Sequence, residues 1–520
     1  MKKKIFIYDT TLRDGSQGEN ISFSVDEKIR IAKKLDQFGI DYIEGGWPGS
    51  NPKDKDFFKK IKKEKLKNAK IVAFSSTRRK NINISEDENF KELLKSQTDF
   101  ITLFGKTWDL HVKQIMKNSL KENLAMIKDS IKFLKLKNKK VFYDAEHFFD
   151  GYKSNPEYAI ETLKVALKSG AEFLVLCDSN GGTLHNEIYE ITKNIKSIFG
   201  KNKLGIHTHN DSGLAVANSL IAVDAGIEMI QGTINGYGER CGNADLISII
   251  PNLKLKMNYE CIKIRNNLSD LKSLSNYISE SANMISQNNH PFVGKSAFAH
   301  KGGIHVSAVL KNPKAYEHID PKLIGNERRV IISDLSGKSN ITYKAKEMNI
   351  KLDDKEAKGL TQEIKLLENK GYQFDAADAS FEILMLKYSN KFKKIFDLEY
   401  FQVIIEKNKE KESFSRAIIK IDVKGKKQLA IGEASGPVGA LDIAMREALG
   451  KFFPKIKHMS LVDFKVRVID GRDGTGAIVR VLIDSKDKNN KIWTTIGVSK
   501  DLIDASFMAL ADSFNYYLNQ

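Results

Sequence analysis

From residue 5 to about residue 257 the chain alternates between two rhythms. Short runs rich in β-branched and aromatic residues recur at 5–8, 42–45, 71–74, 100–104, 141–145, 173–177, 204–208 and 229–233. Between them lie charged stretches whose apolar residues return every three or four positions, as at 26–38, 156–169 and 213–225. The first rhythm is that of buried parallel strands, and the second that of amphipathic helices packed on them. Eight such β/α units in about 250 residues predict a closed (β/α)8 TIM barrel. An open, doubly wound sheet is the alternative, but eight units at this spacing fill a barrel.

The rhythm breaks after Asn258. Residues 266–400 read as a mainly helical linker region, punctuated by turn signals at Asn289-His290-Pro291, Lys311-Asn312-Pro313 and Asp320-Pro321. From about Phe401 the chain is β-rich again and repeats itself. Residues 416–423, a second strand ending at Gly432 and a helix at 439–453 form one β-β-α unit. Residues 477–484, 491–497 and 502–518 form another. The predicted organisation is a barrel at 1–265, a helical linker at 266–400 and an α+β module at 401–520 that binds a ligand or dimerises.

Composition narrows the class. With 520 residues and 41% hydrophobic content the chain can bury a sizeable core. No apolar run reaches the ~18 residues needed to cross a bilayer. The lysine-rich start meets Asp9 too soon to hold the ~7–15 residue apolar core of a signal peptide. A cytoplasmic protein without a membrane role is expected. Three cysteines (Cys177, Cys241 and Cys261) with no close pairing argue against a disulfide scaffold or a cysteine zinc site. The net charge of +18 is spread over helical stretches such as 53–67 and 132–140, without interleaved aromatics. That distribution reads as solvated helix faces, with a share that draws in anionic substrates, and not as a nucleic-acid surface.

In such a barrel, chemistry sits just beyond the C-terminal ends of the strands. There the sequence places Arg13 and Asp14, Glu44, Glu146, Asp178 and Ser179, and His207 with His209. The two histidines stand at i and i+2, so both face the same way. Two imidazoles and the Asp14 carboxylate form a metal site with positions left open for a chelating substrate. Mg, Mn, Zn and Co all suit it. Arg13 can pair with a substrate carboxylate through its planar fork, or be tied up by Glu44 or Asp178. Glu146 is the candidate acid/base. Glu44 either orients Arg13 or binds substrate. The glycines of 236–242 lack the spacing of a dinucleotide loop and instead allow a tight turn that brings Asn243 near the metal.

The motifs DTTLRDGSQ (9–17), HTHNDSGLAVANSLIAVDAG (207–226), GTINGYGERCGNADL (232–246) and AFAHKGGIHVSAVLK (297–311) resemble those of the α-isopropylmalate, homocitrate and citramalate synthases. The resemblance covers nearly the whole chain, including a C-terminal domain like the family's regulatory one. It implies a metal-dependent, Claisen-type condensation of acetyl-CoA with a 2-oxo acid in a homodimer. Carried over by motif, Asp14, His207, His209 and Asn243 bind a divalent metal, Arg13 contacts the oxo acid, and Glu146 is the active-site glutamate. His305 matches a histidine reached from the partner subunit, Tyr316 a tyrosine of the same region, and Ser179 a position where threonine is common. YIEGGWPGSNPKD (42–54) is most similar to the citramalate branch, which implies pyruvate as the oxo acid and an amino-acid effector, isoleucine. The alternative is the isopropylmalate branch, with 2-oxoisovalerate. From another class, an amino-acid sensor that has lost catalysis would show broken site residues, and here they are all present.

Overall fold

The computed structural model describes residues 3–262, 267–407, 413–469, 474 and 476–520. The chain divides into two compact units, one of Met1–Phe298 and Ile319–Glu327 and one of Ala299–His318 and Arg328–Gln520.

The first unit is built on eight parallel strands: β1 (Phe6–Asp9), β2 (Tyr42–Gly46), β3 (Lys70–Ser76), β4 (Phe100–Lys106), β5 (Lys140–Glu146), β6 (Phe173–Asp178), β7 (Leu204–Thr208) and β8 (Met229–Gly232). Each pairs with the next, and β1 pairs with both β2 and β8, which closes the barrel. Helices α1 (Val25–Phe38), α2 (Pro52–Ile61), α3 (Glu88–Lys95), α4 (Leu120–Leu136), α5 (Phe148–Ser154), α6 (Pro156–Ser169), α7 (His185–Phe199) and α8 (Ala215–Asp224) follow strands in turn, and α9 (Leu246–Pro251) and α10 (Leu271–Ser281) end the unit. Local rules set their bounds. Helix α1 opens on a capping box between Ser24 and Glu27 and stops at Gly39, whose φ of 103° only glycine adopts at no cost.

The two-residue pleat sorts each strand into an outer and an inner face. On β5, Val141, Tyr143 and Ala145 point out into the large core shared with the helices. Phe142 points inward with Tyr8, Val72, Phe173, Val175, Cys177 and Met229, joined by Phe6, Tyr42 and Phe100. Edge-to-face contacts lock these inner rings, with Tyr42–Phe142 centroids at 5.1 Å and Phe142–Phe173 at 5.3 Å. This aromatic layer fills the N-terminal end of the barrel. Two and four residues further along the inner face of β5 come Asp144 and Glu146, at the open end.

The second unit begins with a two-stranded pair, β9 (Ala299–His300) and β10 (Arg329–Val330), and helices α11 (Gly303–Lys311), α12 (Lys338–Glu347), α13 (Asp354–Asn369) and α14 (Asp378–Tyr388). Ile341, Leu360, Ile364, Phe381 and Met385 make a small core among the last three. Two copies of one motif follow. The first is β11 (Asp397–Glu406), β12 (Phe414–Val423), β13 (Lys426–Ala434) and α15 (Pro437–Gly450); the second is β14 (Ser460–Val468), β15 (Val479–Lys486), β16 (Ile492–Ser499) and α16 (Leu502–Asn519). The expected β-β-α repeat is present, and each copy carries one further strand in front, so each sheet has three antiparallel strands.

Both copies place a glycine where the helix backbone rests on the sheet. A Cβ on Gly432 would lie 2.2 Å from the Ala440 carbonyl oxygen, and one on Gly497 would lie 1.9 Å from that of Ala505. Backbone cannot yield as a flexible side chain does. Gly432→Ala and Gly497→Ala are each expected to destabilise their copy by about 1–3 kcal/mol. Amide hydrogen exchange confined to the matching sheet and helix is the readout, and unchanged protection there would refute the close-packing account.

Candidate active site

The open end of the barrel holds a cavity of about 500 Å³, a size usual for small-molecule sites. Its lining includes Arg13, Asp14, Glu146, Ser179, His207 and His209, which the strand ends bring together as expected.

His207 ends the inner face of β7 and His209 follows just past it, paired by a backbone bridge to Asn243. The His207 Nε2 and His209 Nε2 atoms are 3.2 Å apart, and His207 Nε2 is 3.5 Å from Asp14 Oδ2. Ligands about 2.0–2.2 Å from one ion lie roughly 3 Å from each other, so the three groups fit a shared cation. Two buried polar atoms at the same place, His209 Nδ1 and Asn243 Oδ1, have no hydrogen-bond partner among the described residues; an ion would supply one for the amide oxygen. The turn before Asn243 is as tight as expected: a Cβ on Gly242 would lie 1.9 Å from the Gly236 carbonyl oxygen.

A hydrogen-bonded chain behind His207 sets its tautomer. Gln231, on the inner face of β8, donates its amide to Asp144 Oδ1 at 3.0 Å, so its carbonyl oxygen faces His207 Nδ1 at 2.9 Å and accepts the proton there. The Nε2 lone pair is thereby aimed at Asp14 and His209. Burial lowers the His207 pKa, and burial together with the His207 charge lowers that of His209 to about 4. Both rings are therefore neutral, the form that ligates. Burial alone would raise Asp14, but Arg13, His207 and His209 outweigh it and hold the carboxyl at about 2. Burial pushes Asp144 well above the carboxylate range.

Arg13 is locked in place. Its Nε donates to Glu44 Oε2 at 2.6 Å, a terminal nitrogen lies 3.1 Å from Asp14, and the guanidinium stacks 3.8 Å from the centroid of Phe74. Burial disfavours its charge, but Glu44 and Asp14 more than offset this and push the pKa up. Of the two possible ties, Glu44 holds Arg13; Asp178 instead accepts from the Thr183 hydroxyl. Glu44 is fully buried, and its oxygens also accept from the Tyr8 and Thr10 hydroxyls. Those contacts leave it orienting Arg13 and not facing the cavity. Ser179 Oγ accepts from the backbone N–H of His147, a residue held at φ 56°. His305 and Tyr316 belong to the second unit, where their rings meet at a tilt with centroids 4.4 Å apart.

The end of the fourth strand adds Lys106 to this rim. Its ammonium lies 2.5 Å from Glu146 Oε2. His111, in the short turn of π-helix His111–Ile115 after β4, lines the same cavity and packs against His147 with centroids 4.3 Å apart. Trp47, Phe74 and Phe104 form an apolar wall beside Arg13. The signals for Gln231 and Asp144 were polar residues at inner positions of otherwise apolar strands.

Comparison with known proteins gives three family matches along the chain: HMGL-like at residues 4–278, Homocitrate synthase post-HMGL domain-like at 292–372, and LeuA allosteric (dimerisation) domain at 375–518. The (R)-citramalate synthase of Aquifex aeolicus is 53% identical over 100% of this chain and 98% of its own length. That of Geobacter sulfurreducens is 54% identical over 99% and 97%. The 2-isopropylmalate synthase of Methanocaldococcus jannaschii is 33% identical over 99% and 95%.

The His207–Gln231–Asp144 chain has a measurable consequence. Gln231→Leu removes the acceptor that fixes the His207 tautomer, and is expected to weaken binding of Mn or Co to the metal-free protein by about 10- to 100-fold. Titration calorimetry reads this directly; an unchanged affinity would remove Gln231 from the site.

Proposed function

The chain belongs to the family of (R)-citramalate synthases, and we propose on that premise that it condenses acetyl-CoA with pyruvate and water to give (R)-citramalate and CoA. The observation that carries this reading is identity above half, over full length, to citramalate synthases, against one third to a 2-isopropylmalate synthase. It is a metal-dependent acyltransferase.

Asp14, His207 and His209, with the Asn243 amide oxygen, would hold the divalent ion. Such an ion acts as a Lewis acid toward the oxo group of pyruvate. One carboxylate, two imidazoles and an amide oxygen, with no sulfur, suit Mg, Mn, Zn or Co. Arg13 offers its guanidinium to the substrate carboxylate and the developing alkoxide, with Glu44 keeping its fork aimed. Glu146 removes a proton from the acetyl methyl group, whose carbanion is delocalised into the thioester carbonyl. His305, reached from the partner subunit by the family resemblance, shares the proton transfers; Ser179 and, from the same region as His305, Tyr316 make substrate contacts. Hydrolysis of the product thioester releases CoA and makes the sequence irreversible.

The LeuA-type domain at residues 375–518 supports a homodimer under feedback control, with isoleucine as effector in a threonine-independent route to that amino acid. The loop between β13 and α15, where Gly436 precedes the first helical turn, is the candidate effector contact. Its companion in the second copy, at 470–476, lies largely outside the described residues. Among the described residues, no helix is long and apolar enough to cross a membrane, and the three cysteines are unpaired. Both are consistent with a cytoplasmic enzyme.

Thiol release from acetyl-CoA with pyruvate, 2-oxobutanoate, 2-oxoisovalerate and 2-oxoglutarate, each supplied alone, tests the substrate. Pyruvate is expected to give the highest kcat/KM, and a preference for 2-oxoisovalerate would move the chain to the isopropylmalate reaction. Glu146→Gln is expected to lower kcat by about 10²- to 10⁴-fold. Isoleucine at millimolar concentration should inhibit the enzyme and raise its thermal stability; neither effect occurring would end the regulatory reading.

A further inference from the structure

We infer that Lys106 is a positioning residue for Glu146, holding one carboxylate oxygen of that side chain so that the other is presented to the acetyl group. The inference rests on the acid/base role proposed for Glu146 and concerns how that role is set up.

The backbone around Glu146 is already fixed on both sides. Its carbonyl oxygen accepts from the Thr107 backbone N–H at 3.2 Å and from the Thr107 hydroxyl at 2.6 Å. The next residue, His147, is held at φ 56°, with its N–H donated to Ser179. What remains free is the side chain, whose three torsions would otherwise spread the carboxylate over many rotamers. Lys106 removes that freedom. Parallel pairing of β4 with β5 puts Lys106 directly beside Glu146, so the two side chains leave neighbouring strand ends together. The ammonium then reaches Glu146 Oε2 at 2.5 Å, and the same nitrogen lies over the Phe104 ring, 5.7 Å from its centroid.

Most surface ion pairs contribute little, because water screens them and two flexible chains must be ordered. This pair differs on both counts. The side chains are only 23% and 26% exposed, and both spring from the rigid rim of a closed barrel. An ion pair this close in that setting ties the carboxylate to the rim by charge, without a directed hydrogen bond. The second carboxylate oxygen is left for the cavity that Glu146 lines. A proton acceptor placed in this way needs no reorganisation when the thioester methyl group arrives.

A double-mutant cycle with the purified full-length enzyme tests this, using thiol release from saturating acetyl-CoA and pyruvate. Lys106→Met is expected to lower kcat on the order of 10- to 100-fold, with both KM values within about twofold. Lys106→Arg, which keeps the charge and reach, is expected to recover most of the loss. In a Glu146→Gln background the same Lys106→Met change should alter kcat by less than about twofold, because the group it acts through is gone. Losses that multiply across the two positions would show that Lys106 acts on its own, and would overturn the inference. So would a Lys106→Met enzyme with undiminished kcat. Lys106→Gln is the second variant, and far-ultraviolet circular dichroism with metal content shows that each protein is folded and loaded. Glu146→Gln alone reads the acid/base assignment: full activity there sinks that assignment, whereas a normal Lys106→Met beside an impaired Glu146→Gln sinks only the positioning role.

Discussion

A strand closed into a parallel barrel can offer only every second residue to the interior, and all eight strands end at the same rim. That constraint governs this protein. On β5 it puts Phe142 in the aromatic layer, Asp144 at the cavity and Glu146 at the rim. On β7 and just beyond, it turns His207 and His209 the same way, and on β8 it turns Gln231 toward His207. Inward polar groups find partners on other strands of the ring: Asp144 of β5 accepts from Gln231 of β8, and Glu44 of β2 from Tyr8 of β1. The site is therefore a property of the closed sheet and not of any one loop.

Charge inside this rim is organised as a chain. Glu44 is pinned by two hydroxyls and holds Arg13, which flanks Asp14, which faces the two histidines. Buried ions are costly unless paired and hydrogen-bonded. Here each is satisfied by the next until the series reaches the three groups placed to share a cation. Neutral imidazoles and an ionised Asp14 are the protonation states that such a cation requires.

Much of this was legible in the sequence. The eight strands could be placed because their buried runs contrast with amphipathic helices, and the Asp14, His207 and His209 trio followed from where strands end. Asn243 could be placed from its glycine-rich approach and the family motif together. Lys106, at the end of the fourth strand, was not legible in the sequence. A lysine there looks like any solvated lysine until the neighbouring strand supplies Glu146. The role of Glu44 depended on Tyr8 and Thr10, partners that only the closed sheet brings near. The leading strands β11 and β14 escaped for another reason: both are exposed along most of their length, so neither shows the alternation that marks a strand with one buried face.

The aromatic layer has a kinetic meaning as well as a structural one. Phe6, Tyr42, Phe100, Phe142 and Phe173 stop the barrel at its N-terminal end, so the cavity is blind. Whatever reacts at its floor must arrive and leave through the same mouth. Two molecules of unequal size would share that one mouth, and the larger, sitting outermost, would bar the smaller from leaving. Traffic at this site is thus constrained by the plug at the opposite end of the barrel.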